Sequence, residues 1–224
     1  MRKIALSFAT FILWIAQLGQ VSAAVMLSNL NSAGNDIQPV FAGTGFAVGF
    51  LTGPSCYTLN SVTLEEYGYG GPSPYFHVQL FTLGPIGSVP PPGWAFVPVA
   101  ELNDAGVDPR GASLIDYTPA SPLTLSPNQV YFIGASAGPG GTGNPGLIFA
   151  STQTYSLGPD WQMYIAPESN NQWELDPNYN LWVTGSPGGY EGLKLEINAT
   201  AVPEPSLVSM LLVAFVAAAR RRRR

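Results

Sequence analysis

Basic residues are nearly missing from the interior of this chain. Arg2, Lys3 and Arg220 to Arg224 account for seven of its nine lysines and arginines, leaving only Arg110 and Lys194 between the two ends. Residues 25–202 set thirteen carboxylates against those two cations, a net charge of −11, whereas the whole chain carries −5. Nucleic acid is thereby excluded as a partner, because phosphate binding needs clustered lysine and arginine. Cysteine is as scarce. Cys56 stands alone, so no intramolecular disulfide can form and a packed core must supply the stability. Its default reading is a small buried apolar residue. Histidine also occurs once, at His77. Helical periodicity is almost absent from residues 25–200.

What that interior does contain is proline and glycine every few residues. Between them lie short runs rich in Val, Ile, Tyr, Phe, Trp and Thr. This is the pattern of an all-β protein, and we expect a single antiparallel β-sandwich, jelly-roll-like, over residues 24–200. Strands are expected at Ala47 to Leu51, Val62 to Tyr67, Leu147 to Ala150, Trp161 to Ile165 and Leu181 to Val183. In Tyr75 to Leu83, Phe76, Val78 and Leu80 share one face, and Tyr75, His77 and Gln79 the other. Val130 to Ala135 suits a buried central strand. Leu193, Leu195 and Ile197 alternate with Lys194, Glu196 and Asn198. Gly84 to Gly93, with Pro85, Pro90, Pro91 and Pro92, reads as a loop, and Gly138 to Gly146 as a mobile one.

The two ends are of a different kind. Arg2 and Lys3 precede an apolar run from Ile4 to Leu18, and Val21-Ser22-Ala23 offers small residues for cleavage. Residues 1–23 therefore read as a signal peptide forming an N-terminal helix, cut after Ala23, with Ala24 close behind. At the other end, residues 201–224, the prolines of Val202-Pro203-Glu204-Pro205-Ser206 separate the body from the C-terminal segment. That segment is an uncharged run from Leu207 to Ala219, then Arg220, Arg221, Arg222, Arg223 and Arg224. From Ser206 the run is 14 residues, about 21 Å as a helix. That is a short transmembrane helix for a hydrocarbon core of about 30 Å. Arginine stems lying in the hydrocarbon can make up the difference, and the cluster holds its end in the cytoplasm.

Pro-Glu-Pro, a short apolar span and a terminal arginine cluster, in that order, resemble the PEP-CTERM sorting signal of exported bacterial proteins. The resemblance implies a Gram-negative host and transient anchoring in the inner membrane. It also implies processing near Pro203-Glu204-Pro205 by an exosortase-type membrane enzyme, then a cell-surface or extracellular location. A second resemblance lies in the body. Leu27-Ser28-Asn29-Leu30, Phe46 to Phe50, Tyr57 to Leu64 and Pro122 to Tyr131 are similar to the choice-of-anchor R type domain, a surface module with alternative anchoring tails. It implies no activity and no site residues.

Few groups in the body could carry chemistry. His77 could join Cys56 or a serine in a nucleophilic machine, or a zinc site, but no spacing brings them together, and a lone strand histidine reads as structural or solvated. Glu65 and Glu66 are adjacent in a strand and point to opposite faces, so they are no glycosidase pair and read as solvated surface. Asn103, Asp104 and Asp108 form the most calcium-like loop. It departs from the EF-hand at Pro109 and Ile115 and reads first as an Asx-type turn, as does Asp176-Pro177-Asn178. Trp161, Trp173, Trp182, Tyr164, Tyr179 and Tyr190 could stack on sugar rings, with core packing the plainer role.

The expectation is a non-enzymatic exported protein without a cofactor or metal, structural or adhesive. The alternative is a carbohydrate-binding module on exopolysaccharide, stabilised by calcium. Given its charge, the body should pass through a heparin column without retention at physiological salt. Retention would reveal a basic patch that the composition does not allow.

Overall fold

Short apolar runs cut by glycine and proline cannot build helices of useful length, and they satisfy their backbone groups by pairing edge to edge. The computed structural model describes residues 23–34, 36–40, 45–69, 76–85, 94–104, 110–137, 146–150, 155–164, 174–175, 181–182 and 192–203. Among these there are sixteen strands and no helix. The signal and tail segments, where helices were expected, lie outside the described residues.

In chain order the strands are β1 (Ala24–Ser28), β2 (Asp36–Pro39), β3 (Gly45–Leu51), β4 (Tyr57–Tyr69), β5 (Phe76–Pro85), β6 (Trp94–Asn103), β7 (Arg110–Pro119) and β8 (Leu123–Leu125). They continue with β9 (Val130–Ala137), β10 (Gly146–Ala150), β11 (Ser156–Leu157), β12 (Gln162–Tyr164), β13 (Glu174–Leu175), β14 (Leu181–Trp182), β15 (Gly192–Leu193) and β16 (Leu195–Ala201). Fourteen of them form one sheet whose main path runs β11-β1-β16-β4-β7-β6-β5-β9-β3-β12, and β13 and β14 pair separately. The described residues are all-β and antiparallel.

The sheet is nearly closed. Its first and last strands, β11 and β12, are consecutive in the chain, joined by Gly158 to Trp161. It folds over where β6 meets β7 through only Leu102↔Pro119 and Asn103↔Thr118. Side chains from both sides of that fold fill one core: Val62, Leu64 and Ile115 on one side, Val48, Phe50, Leu80 and Ile133 on the other. Rings meet across it, Phe46 on Phe149 at 5.1 Å and Phe76 on Tyr117 at 6.5 Å.

The long strand β4 is the spine. One edge pairs with β16 over Tyr57 to Leu64 and with β10 at Glu66 and Tyr67; the other pairs with β8 and then β7. In the seam between β10 and β16 lies Lys194. Its N–H donates to the Ile148 carbonyl at 2.9 Å, its carbonyl accepts from the Glu65 N–H at 3.2 Å, and its Nζ lies 3.0 Å from Glu65 Oε2.

The expected strands over 47–51, 62–67, 130–135 and 147–150 are present, and β9 is buried on both faces as a central strand should be. Four details differ. Trp161 precedes β12 rather than opening it, and Ile165 and Val183 lie outside the described residues. Gly84 and Pro85 belong to β5. Lys194 interrupts the alternation, buried in the seam rather than solvated. Gln79 is buried as well, with Ala47, Phe81 and Phe132, all of which alternate with core residues and so point the other way. That layer is covered on both sides, and the β13–β14 hairpin runs beside β3 and β6.

Closure depends on one ring. Trp161, 2 % exposed, stacks on Phe50 with centroids 5.0 Å apart and meets the Tyr57 ring edge-on at 5.3 Å. Its turn is fastened by the Gly158 N–H donating to the Met26 carbonyl at 2.8 Å. Trp161 Nε1 has no hydrogen-bond partner among the described residues, so packing alone holds the ring. Trp161→Ala should cost about 3–5 kcal/mol in urea unfolding, as for other buried tryptophans. Trp161→Phe should cost much less, since no hydrogen bond is lost. Equal losses would mean that the indole N–H has a partner after all.

Candidate functional site

The first and last long strands in chain order are neighbours in the sheet. β1 pairs antiparallel with β16, Ala24 opposite Ala199 and Leu27 opposite Ile197. Asn29 extends the pairing: its Oδ1 accepts from the Leu195 N–H at 2.8 Å, and its own N–H donates to the Leu195 carbonyl. Two segments of opposite sequence position thus start and stop at one end of the sheet. Ala23 and Ala24 are exposed there, as are Val202 and Pro203, which come directly after β16. The Val202 N–H donates to the Cys56 carbonyl at 2.8 Å, so the chain stays fastened to the body up to that residue. The structure brings the expected signal-cleavage residues Ala23 and Ala24 to the same end as Val202 and Pro203 of the expected sorting motif. Glu204, Pro205, Ser206 and Arg220 to Arg224 lie outside the described residues.

Cys56 sits at this same end, in the turn before β4, and is half-buried rather than a core residue. A turn position leaves one side of the thiol without neighbours. His77 stands near the opposite end, at the start of β5, with Nδ1 2.6 Å from Glu101 Oε1. The sheet therefore keeps these two groups apart.

The opposite end holds the one buried carboxyl among the described residues. Glu65 and Glu66 do point to opposite faces, but neither is simply solvated surface: Glu65 meets Lys194, and Glu66 turns into the core with 1 % exposure. Its Oε1 accepts from the Tyr117 hydroxyl at 2.6 Å. Burial pushes the Glu66 pKa from 4.5 to about 7; the Tyr117 hydrogen bond opposes the rise and the Asp104 carboxylate adds to it. Burial also raises the Tyr117 phenol, with Glu66 contributing. The sequence hid this pair, because Tyr117 lies fifty-one positions away and faces Glu66 only through the β4–β7 register.

Other candidates are not assembled. Asn103 is the last residue of β6 and pairs with Thr118 rather than forming a turn, Asp104 comes next and is exposed, and Asp108 lies outside the described residues. Among the described residues no three His, Cys, Asp or Glu side chains converge on a metal position. Trp161 belongs to the core. Tyr164 and Trp182 fall in β12 and β14 with side chains outside the description, and Trp173, Tyr179, Tyr190 and Asp176 to Asn178 lie outside the described residues. Comparison with known proteins returns no matching family and no curated protein that matches the chain.

The Glu66 shift fixes a pH dependence. Below pH 4.5 the carboxyl is neutral in both states and contributes nothing. Between 4.5 and about 7 the folded protein keeps a proton that the unfolded chain releases, so stability falls as pH rises. Above that window the loss is complete, on the order of 3 kcal/mol. Glu66→Gln should remove this slope and raise the melting temperature at pH 8 relative to the parent. Tyr117→Phe should move the window upward. Parallel pH–stability curves for parent and Glu66→Gln would contradict the assignment.

Proposed function

We propose that this is an exported bacterial protein with a structural or adhesive role at the cell surface or in the extracellular matrix, and not an enzyme. Its body is read as a jelly-roll-like β-sandwich of the choice-of-anchor R type. Residues 1–23 are its signal peptide and residues 201–224 its sorting tail. The signal peptide carries the body outward, and the arginine cluster keeps the C-terminus in the cytoplasm. Pro203-Glu204-Pro205 then stands at the outer face of the inner membrane, where an exosortase-type enzyme cuts and releases the body.

One observation supports this reading above the others. Among the described residues the first strand begins at Ala24, the residue after the expected cleavage, and the last ends at Ala201, the first residue of the tail and just before the Pro-Glu-Pro motif. Cutting after Ala23 and at Pro203-Glu204-Pro205 would therefore leave every described strand in place. Pro203 is exposed, and proline offers no N–H to a neighbouring strand, so the backbone there stays outside the sheet.

Intact-mass analysis of the surface-located protein from its native host tests the reading. The expected mass begins at Ala24 or the residue after it, and lacks the apolar span and Arg220 to Arg224. A surface form that retains the arginines would leave a plain membrane anchor in place of a sorting signal. Exopolysaccharide binding, the alternative role, would be recognised by glycan-array binding of the released body.

A further inference from the structure

The reach of the tail is set by its length. Val202 is still hydrogen-bonded to Cys56, and the apolar run starts at Leu207, which leaves Pro203 to Ser206 as the only slack. Four residues span at most about 14 Å. The headgroup layer on one side of a bilayer takes up roughly 5–7 Å of that, so little clearance remains. A body held by this tail cannot tumble freely above the surface. Its tail end must face the lipid.

That end has the composition such a position requires. It is built from the turns after β3 and after β8, tied together by the Asn128 N–H donating to the Gly53 carbonyl at 2.9 Å and the Thr52 Oγ1 donating to the Ser126 carbonyl at 2.7 Å. Its exposed residues include Pro54, Pro127 and Asn128 beside Val202 and Pro203. None is charged. Asp160, against Gly53, is the one carboxylate near it among the described residues. Glu66 lies nine residues along β4 from Tyr57, and Glu101 pairs with Gln79 near the start of β5, both away from this end. A carboxylate-rich surface would be repelled by anionic lipid headgroups, and an uncharged one would not. Ala24 emerges at the same end, so an uncleaved signal segment would impose the same orientation.

We propose that this uncharged, proline-rich end is a membrane-apposed face: during anchoring it rests on the anionic phospholipid surface and points the opposite end of the sheet away from the membrane. The proposal rests on the sorting-tail reading. Its test uses the full chain in phosphatidylethanolamine–phosphatidylglycerol vesicles containing a nitroxide-headgroup lipid. In a Cys56→Ser background, a fluorophore is placed at Ser126→Cys or at Ala112→Cys, both exposed positions. Leu125, next to Ser126, pairs with Tyr57, and Ala112 pairs with Tyr67 ten residues along β4, which separates the two labels by ~33 Å. Quenching should be several-fold stronger at Ser126 than at Ala112. If the chain floats with the vesicles but both labels are quenched alike, or Ala112 more, the membrane-apposed face is wrong and the tail reading survives. If the chain does not float with the vesicles, the tail reading fails and this proposal with it.

Discussion

The structure depends on where its last strand lies. β16 is not an edge added at the end of the chain but sits between β1 and β4, hydrogen-bonded on both sides. Leu195 and Ile197 from it are fully buried in the common core, and Lys194 just before it fills the seam that β10 leaves along β4. A sheet built this way is incomplete until its final strand is in place. The same pairing decides that both ends of the body emerge together, because antiparallel neighbours bring the start of one strand beside the end of the other.

From that constraint the molecule acquires two unlike ends. One holds Ala24 and Ala201, where the described sheet begins and ends, and the turns at Pro54 and Pro127. The other holds Glu66 in its apolar setting and the His77–Glu101 pair. A carboxyl buried against a tyrosine is a cost carried within the core, relieved when the carboxyl takes up a proton.

Much of the β-structure was legible in the sequence because it arises from local pattern. The apolar run in β9, the all-buried β10 and the alternation in β16 each announce themselves over five to eight residues. What could not be read has long-range causes. β6 carries Pro98, which argues against a strand; the sheet tolerates it opposite Phe81, where the register with β5 shifts. β7 is mostly small and polar residues and is a strand because β4 holds it over eight residue pairs. Gln79 and Lys194 fall on the face opposite the apolar residues, and only the covering of that face and the seam at β4 bury them. The Glu66–Tyr117 contact needs the register itself. The proposed sorting motif, by contrast, is entirely a matter of sequence order and draws nothing from the fold.

The central claim is that the last strand is an interior member of the sheet, fixing both exits at one end. Amide hydrogen exchange across the whole chain measures this directly, because protection tracks how much structure must open to free each N–H. The account predicts that Leu195 to Ala201 exchange among the slowest segments, together with β4 and at the rate of global unfolding. Exchange of Leu195 to Ala201 as fast as the turns at Pro54 and Pro127 would contradict it, and would place the C-terminal strand at a loosely held edge.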